Sequence, residues 1–228
     1  MKKYVIIPAA GSGTRLGTEV PKQFLKVNNK YILNYSLETF NNHSGIDKIL
    51  VVTSKDYIEL VKDIVAKNTY NKVVDIIEGG KERQDSVFNA LKHLKQEASD
   101  DDIVLIHDAA RPLISNELIS NVIQNTLVNS ASIVAIKAKD TVINIKEKVI
   151  NGFLDRNNIY LAQTPQAFKF GIIIDCFIKS YAENMYFTDE STMLNYFGYD
   201  VYITDGSLFN FKITTKEDLE LFQNIMVR

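Results

Sequence analysis

The chain has one cysteine, Cys176, among 228 residues. It can form neither an internal disulfide nor a cysteine-built zinc site, so a secreted disulfide scaffold is excluded. A basic surplus is also missing. Lys and Arg number 26 against 28 Asp and Glu, a formal net charge of −2. Proteins that track nucleic-acid phosphates carry a basic excess or stripe, so no nucleic-acid partner is expected. Long apolar runs are absent as well: nothing approaches the roughly 18 consecutive apolar residues of a membrane helix, and no membrane partner is expected. Lys2-Lys3 before Tyr4-Val5-Ile6-Ile7 imitates the start of a signal peptide, but Gly11, Arg15, Glu19 and Lys22 follow too soon. A first strand explains the run better, and a soluble cytoplasmic protein is expected. There is no Pro/Gly/Ser-rich linker and no internal repeat. With 46% hydrophobic and 24% charged residues the composition is that of a globular chain, read as a single domain over residues 1–228.

What is present alternates. Short, continuous apolar runs at Tyr4–Ala9, Lys48–Thr53, Val73–Ile77, Asp102–Ile106 and Ala131–Ile136 suit strands covered on both faces. Between them lie helical stripes: Tyr57, Leu60, Val61, Ile64 and Val65; Val87, Ala90, Leu91 and Leu94; Leu118, Ile119, Val122, Ile123 and Leu127. The alternation predicts an α/β fold with a doubly wound, mostly parallel, Rossmann-like sheet. After Lys137 the pattern changes. Thr141–Ile145 and Val149–Phe153 read as a hairpin, an inserted β-arm at about residues 138–160. An extended stretch at Asn158–Gln163, a helix after Phe170, a strand at Tyr199–Ile203 and a helix at Thr215–Val227 follow.

Ligands of such sheets bind at the carboxyl ends of the strands, so chemistry is sought there. After strand one comes Pro8-Ala9-Ala10-Gly11-Ser12-Gly13-Thr14-Arg15-Leu16-Gly17. Small residues let backbone N–H groups approach an anion closely. The dinucleotide fingerprint fails because position 16 is leucine, and the P-loop lacks its Gly-Lys-Ser/Thr. Arg15 within the loop and Lys22 just beyond it favour a triphosphate. Gly79-Gly80, before Ser86, allows a second close approach, with Asp85 or Ser86 as an ordinary helix cap in the alternative. Asp108, at the end of the fourth strand, stands where a Mg²⁺ ligand is expected, since magnesium needs few carboxylates when phosphates supply the other oxygens. Arg111 follows it and could hold a phosphate. His107 is read as a packed histidine. Thr188 and Thr215 look like helix caps.

Taken in order, AAGSGTRLG, PKQFL, GGKERQDSV, IHDAARP, KDT, DRN, TPQAF, TDE and NFKITTKEDL, spanning Ala9 to Leu219, resemble the methylerythritol phosphate cytidylyltransferases of isoprenoid synthesis. The resemblance implies a nucleotidyltransferase-type sheet and transfer of CMP from CTP to 2-C-methyl-D-erythritol 4-phosphate, with release of pyrophosphate and use of Mg²⁺. It implies a homodimer built by the β-arm, with active sites shared between subunits. Residue by residue, it places Arg15, Lys22 and Lys212 in catalysis and Pro8, Ala9, Ala10, Gly11, Ser12 and Gly13 around the nucleotide. Gly80 and Ser86 would read cytosine, and Asp108 would hold the metal. Ala109, Arg111, Thr141, Arg156 and Thr164 would hold the substrate, Thr141 and Arg156 reaching over from the partner. The sequence departs from the pattern at Leu208 and Phe209, where some members carry an acid that contacts the polyol. Ribitol 5-phosphate cytidylyltransferases share much of the framework and are the alternative, whereas Lys139, Ala110 and the Ala9-Ala10 pair side with the isoprenoid enzymes.

Overall fold

The structure, a computed structural model, describes residues 1–11, 17 and 20–227. Its centre is a seven-stranded sheet. Strands β1 (Lys3–Pro8), β4 (Lys48–Thr53), β5 (Val73–Glu78) and β6 (Ile103–Ile106) alternate with helices α2 (Ile58–Asn68) and α3 (Arg83–Leu94), and α4 (Asn116–Asn129) leads into β7 (Ala131–Lys137). A small hairpin, β2 (Lys26–Val27) and β3 (Lys30–Tyr31), and helix α1 (Ile32–Asn42) lie between β1 and β4. The chain then forms the hairpin β8 (Val142–Lys146) and β9 (Val149–Leu154), the long β10 (Tyr160–Lys169), helices α5 (Phe170–Ala182) and α6 (Glu190–Tyr196), β11 (Tyr202–Asp205) and α7 (Lys216–Met226). The strand order is β11-β7-β10-β6-β1-β4-β5. All neighbours pair in parallel except β10, which runs antiparallel between β6 and β7.

The continuous apolar runs mean what they were expected to mean. Alternate side chains of one strand feed two cores. Val5, Ile7, Val51 and Leu105 pack with α1, α2 and α4 on one face. Tyr4, Ile6, Leu50 and Val104 pack with α3, α5 and α6 on the other. Helix α7 closes a third cluster through Phe222, against Ile213 and Tyr35. No helix among the described residues is long and apolar enough to cross a membrane.

Several local readings shift. Helix α1 has no simple apolar stripe because Asn34 and Ser36 are buried along with Ile32, Leu33, Leu37 and Phe40. Strand β10 runs on past Gln163 through a register shift between Ala162 and Gln166, with a cis Thr164–Pro165 peptide. The α3 cap is Glu82, not Ser86 or Asp85; Asp85 instead completes a reciprocal capping box by accepting from the Glu82 N–H. The α6 cap is Asp189, one residue after Thr188, because its carboxylate reaches the Thr192 N–H. Thr215 caps α7 as expected.

The β8–β9 hairpin forms a sheet of its own. Glu147 and Lys148 both adopt positive φ at its tip, the backbone of a tight two-residue turn. Every residue of β9 is exposed, including Val149, Ile150, Phe153 and Leu154.

Candidate active site

The carboxyl ends of β1, β5 and β6 converge with the segment before α7 around a cavity of about 260 Å³. Pro8, Ala9, Ala10 and Gly11 form one wall; Gly80, Arg83 and Ser86 form the second; Asp108, Ala109 and Ala110 form the floor; Lys22 and Lys212 close it. Ten of the residues singled out in the sequence therefore share one pocket: Pro8, Ala9, Ala10, Gly11, Lys22, Gly80, Ser86, Asp108, Ala109 and Lys212. Ser12, Gly13 and Arg15 lie outside the described residues.

Each wall is set by identifiable contacts. Gln23 Nε2 donates to the carbonyls of Ala9 and Gly11 at 2.6 and 2.9 Å, holding the first loop in its turn. In the second wall the backbone passes too close for side chains. A Cβ on Gly79 would lie 2.7 Å from Ala10 Cβ, and one on Gly80 would lie 2.2 Å from Asp85 Cβ. Ser86 Oγ accepts from the Gly80 N–H at 3.1 Å and donates to the Glu82 carbonyl at 3.2 Å. Its hydroxyl thus shapes the turn that carries Gly80.

Asp108 is the electrostatic centre. Its carboxylate lies 2.8 Å from Lys212 Nζ, 3.3 Å from Arg83 Nε and 3.9 Å from Arg111 Nε. Burial alone would raise its pKa, but Arg83, then Lys212 and Arg111, outweigh burial and hold the carboxyl well below the usual range. It is ionised at every physiological pH. Lys212 is set in place by the backbone of its neighbour, since the Ile213 N–H donates to the Ala110 carbonyl at 2.8 Å.

Arg111 and Thr164 sit beneath the pocket and do not line it. Arg111 is 9% exposed and donates to the carbonyls of Asn210 at 2.8 Å and Ala162 at 3.5 Å. Thr164 Oγ1 accepts from the Asp108 N–H at 3.0 Å and meets His107 Nδ1 at 3.2 Å. His107 is fully buried, with Nε2 3.1 Å from the Arg111 carbonyl. Burial pushes its imidazole down to about 4, so the ring is neutral and braces both ends of the Asp108–Arg111 turn, in keeping with a packed histidine. Thr141 and Arg156 are exposed, and their own chain's pocket does not include them.

Among the described residues no group of three or more His, Cys, Asp or Glu could cage a metal. Two carboxylates line the pocket; Glu82 is engaged in the α3 capping box, which leaves Asp108 as the donor beside the cations. That arrangement fits a Mg²⁺ ion whose remaining ligands are phosphate oxygens and water, and it does not fit a resident ion held by protein alone.

Reasoning from the sequence missed three side chains that shape the site. Gln23 follows Lys22 in the same short turn and was read only as part of its motif. Arg83 stands beside the paired glycines, but its role depends on Glu190, to which it donates at 2.7 and 3.0 Å across 107 residues. Asn210 is fully buried and donates to the Thr164 carbonyl at 2.8 Å, a contact no local pattern announces.

A glycine-lined pocket at the switch side of a mixed α/β sheet, with permanent cations facing one carboxylate, defines the class: a nucleotide-handling transferase of the nucleotidyltransferase type. Comparison with known proteins narrows it. The sequence model of the family described as 2-C-methyl-D-erythritol 4-phosphate cytidylyltransferase (IspD) matches residues 3–228, and the chain belongs to that family. A Clostridium botulinum protein of that description is 44% identical over 229 residues, covering 99% of this chain and 97% of the relative. The crystal structure of 4-diphosphocytidyl-2C-methyl-D-erythritol synthase from Anaerococcus prevotii superposes with a TM-score of 0.85 at 32% identity, covering 100% of this chain and 99% of that one. The Francisella tularensis 2-C-methyl-D-erythritol 4-phosphate cytidylyltransferase gives 0.80 at 36% identity, covering 98% and 100%.

Proposed function

We propose that this chain transfers CMP from CTP to 2-C-methyl-D-erythritol 4-phosphate, releasing pyrophosphate, as a step of isoprenoid synthesis. The observation that carries the reading is the convergence of Lys22, Lys212, Arg83 and Asp108 on one glycine-lined cavity. A phosphate monoester has a second pKa of about 6, so the attacking oxygen is already ionised at neutral pH. The reaction therefore needs no general base, which agrees with His107 being buried, neutral and hydrogen-bonded at both ring nitrogens. What it needs is cancellation of charge as two anions meet in line.

In this reading Ala9, Ala10 and Gly11, with Ser12 and Gly13, cradle the triphosphate, and Arg15 and Lys22 stabilise charge developing on it. Gly80 and Ser86 contact the cytosine. Lys212 sits close to both phosphates, held there by its contact with Asp108. Asp108 would be the protein ligand of a Mg²⁺ ion, which when bound neutralises phosphate charge. Ala109 faces the polyol phosphate, with Arg111 and Thr164 bracing the floor behind it, and Thr141 and Arg156 are contributed by a second copy. Ile143, Ile145, Val149, Ile150, Phe153 and Leu154, exposed by 46% to 68% on the hairpin, support that homodimer: an apolar face of this kind calls for a partner. We place the enzyme in the cytoplasm with its two charged, water-soluble substrates.

The deciding experiment is pyrophosphate release with CTP and Mg²⁺, comparing methylerythritol phosphate with ribitol 5-phosphate, then CTP with the other three nucleoside triphosphates. Methylerythritol phosphate and CTP should be turned over fastest. Faster turnover of ribitol 5-phosphate would reverse the substrate assignment, and no release with any pair would remove the enzymatic reading.

A further inference from the structure

Glu190 opens α6 and is 1% exposed, yet it carries a carboxylate. Burying a charge is costly unless it is paired and hydrogen-bonded. The helix does not need it for its start. Asp189 supplies the cap, and Gln166 on β10 grips the same turn by donating to Asp189 Oδ2 at 3.2 Å and accepting from the Ser191 N–H at 3.0 Å.

The role of the charge lies toward the pocket. Arg83 donates Nη1 to Glu190 Oε1 at 2.7 Å and Nη2 to Oε2 at 3.0 Å, while its Nε reaches Asp108 Oδ1 at 3.3 Å. A guanidinium is planar, so fixing two nitrogens on one carboxylate fixes the direction of the third. Asp108 Oδ1 is thereby held by Arg83, and Oδ2 meets Lys212 at 2.8 Å, with Arg111 Nε farther off at 3.9 Å. Glu190 also cancels the charge of Arg83, which lines the cavity. Without Glu190, Arg83 would be a loose extra cation competing with Lys212 for Asp108.

We propose that Glu190 is a positioning residue for the transfer: acting through the Arg83 fork, it fixes the orientation of Asp108 and keeps Lys212 on the oxygen that faces the substrates, while touching no reactant itself. The proposal rests on the pocket being the active site.

The test uses the full chain and follows pyrophosphate release at varied CTP and methylerythritol phosphate. Glu190→Gln should lower kcat by about 10- to 100-fold, the usual range for groups that orient a reactive ligand, without raising KM for CTP. Arg83→Lys keeps the charge but loses the fork, and should lower kcat to a similar extent with a thermal midpoint near wild type. The double variant Arg83→Gln/Glu190→Gln should match Arg83→Gln alone within about twofold, because a residue acting through a missing partner has nothing left to lose. A kcat loss in Glu190→Gln that only follows loss of folded protein, wild-type kcat in Arg83→Lys, or multiplying losses in the double variant would each overturn the proposal. Lys22→Ala is run alongside. An inactive Lys22→Ala with an unimpaired Glu190→Gln sinks this inference alone, whereas a fully active Lys22→Ala sinks the assignment of the pocket.

Discussion

Lys22 Nζ donates a 2.7 Å hydrogen bond to the carbonyl of Ile213, 191 residues away, and so stands beside Lys212 although the two are at opposite ends of the chain. Because Lys212 in turn contacts Asp108, the N-terminal loop, the turn after β6 and the segment before α7 meet at one point. Two anionic substrates brought to that point encounter charge that is already in place, with no reorganisation left to make during the reaction.

Replacing Lys22 with alanine removes one of these cations. Turnover should fall by about 10²- to 10³-fold, by analogy with loss of a single transition-state donor, with the thermal midpoint within a few degrees of wild type. Steady-state pyrophosphate release and a melt on the same preparation check both halves.

Asp108→Asn leaves Arg83, Lys212 and Arg111 without their common counter-ion. Breaking a buried pair on one side should destabilise the fold by about 3 kcal/mol at neutral pH, measured by denaturant titration. The Asp108 pKa is depressed in the folded chain, so its stabilising contribution is present above the unfolded value of 3.8 and fades as pH falls below it. The gap between variant and wild type should accordingly shrink under acid. Activity should also demand more Mg²⁺, which a titration of the cation would show.

His107 also costs stability as pH falls, but through burial and at higher pH. Unfolded, it takes a proton near 6.5; folded, only near about 4. Between those values the unfolded state binds more protons, so stability is full above about pH 7 and falls as pH drops toward 4, by up to about 3 kcal/mol from this residue. His43 is shifted downward by burial as well and adds to the slope. In His107→Asn the slope between pH 7 and 5 should be shallower; an unchanged slope would show that other groups carry it.

Gly80→Ala places a methyl 2.2 Å from Asp85 Cβ. The turn must open, at a cost of about 1–3 kcal/mol, and KM for CTP should rise more than kcat falls, since the wall moves while the cations remain. Parallel fits of the two constants test this.

If two copies share their sites through the hairpin, Phe153→Asp should yield monomers in light scattering and abolish turnover. Mixing inactive Lys22→Ala with inactive Arg156→Ala should restore about a quarter of wild-type activity after subunit exchange, since random pairing leaves one intact site in half of the dimers. No recovery would place Arg156 in its own chain's site.

What could be read without coordinates was everything that repeats or caps locally. The apolar strands, the stripes of α2, α3 and α4, the hairpin with its charged tip and the Thr215 cap follow from backbone periods of two and 3.6 residues and from unpaired N–H groups at helix starts. The order of motifs also marked the family, later matched across residues 3–228. Helix α1 escaped notice because polar Asn34 and Ser36 are buried in it, erasing its stripe. The antiparallel course of β10 through the middle of the sheet was equally unreadable, because strand order depends on which faces can be covered, not on the strand's own residues.

The site divides along the same line. Its cations and its acid are visible as residue types after strands, but which of them meet is settled by the convergence of loops at the carboxyl ends of the strands. Arg83 meets Glu190, Lys212 meets Asp108 and Asn210 reaches Thr164 only because β10 lies beside β6 and the segment before α7 folds back over Ala110. Local backbone geometry sets periodicity within about a dozen residues. Ion pairs between distant segments depend on register and packing, which exist only once the chain has folded.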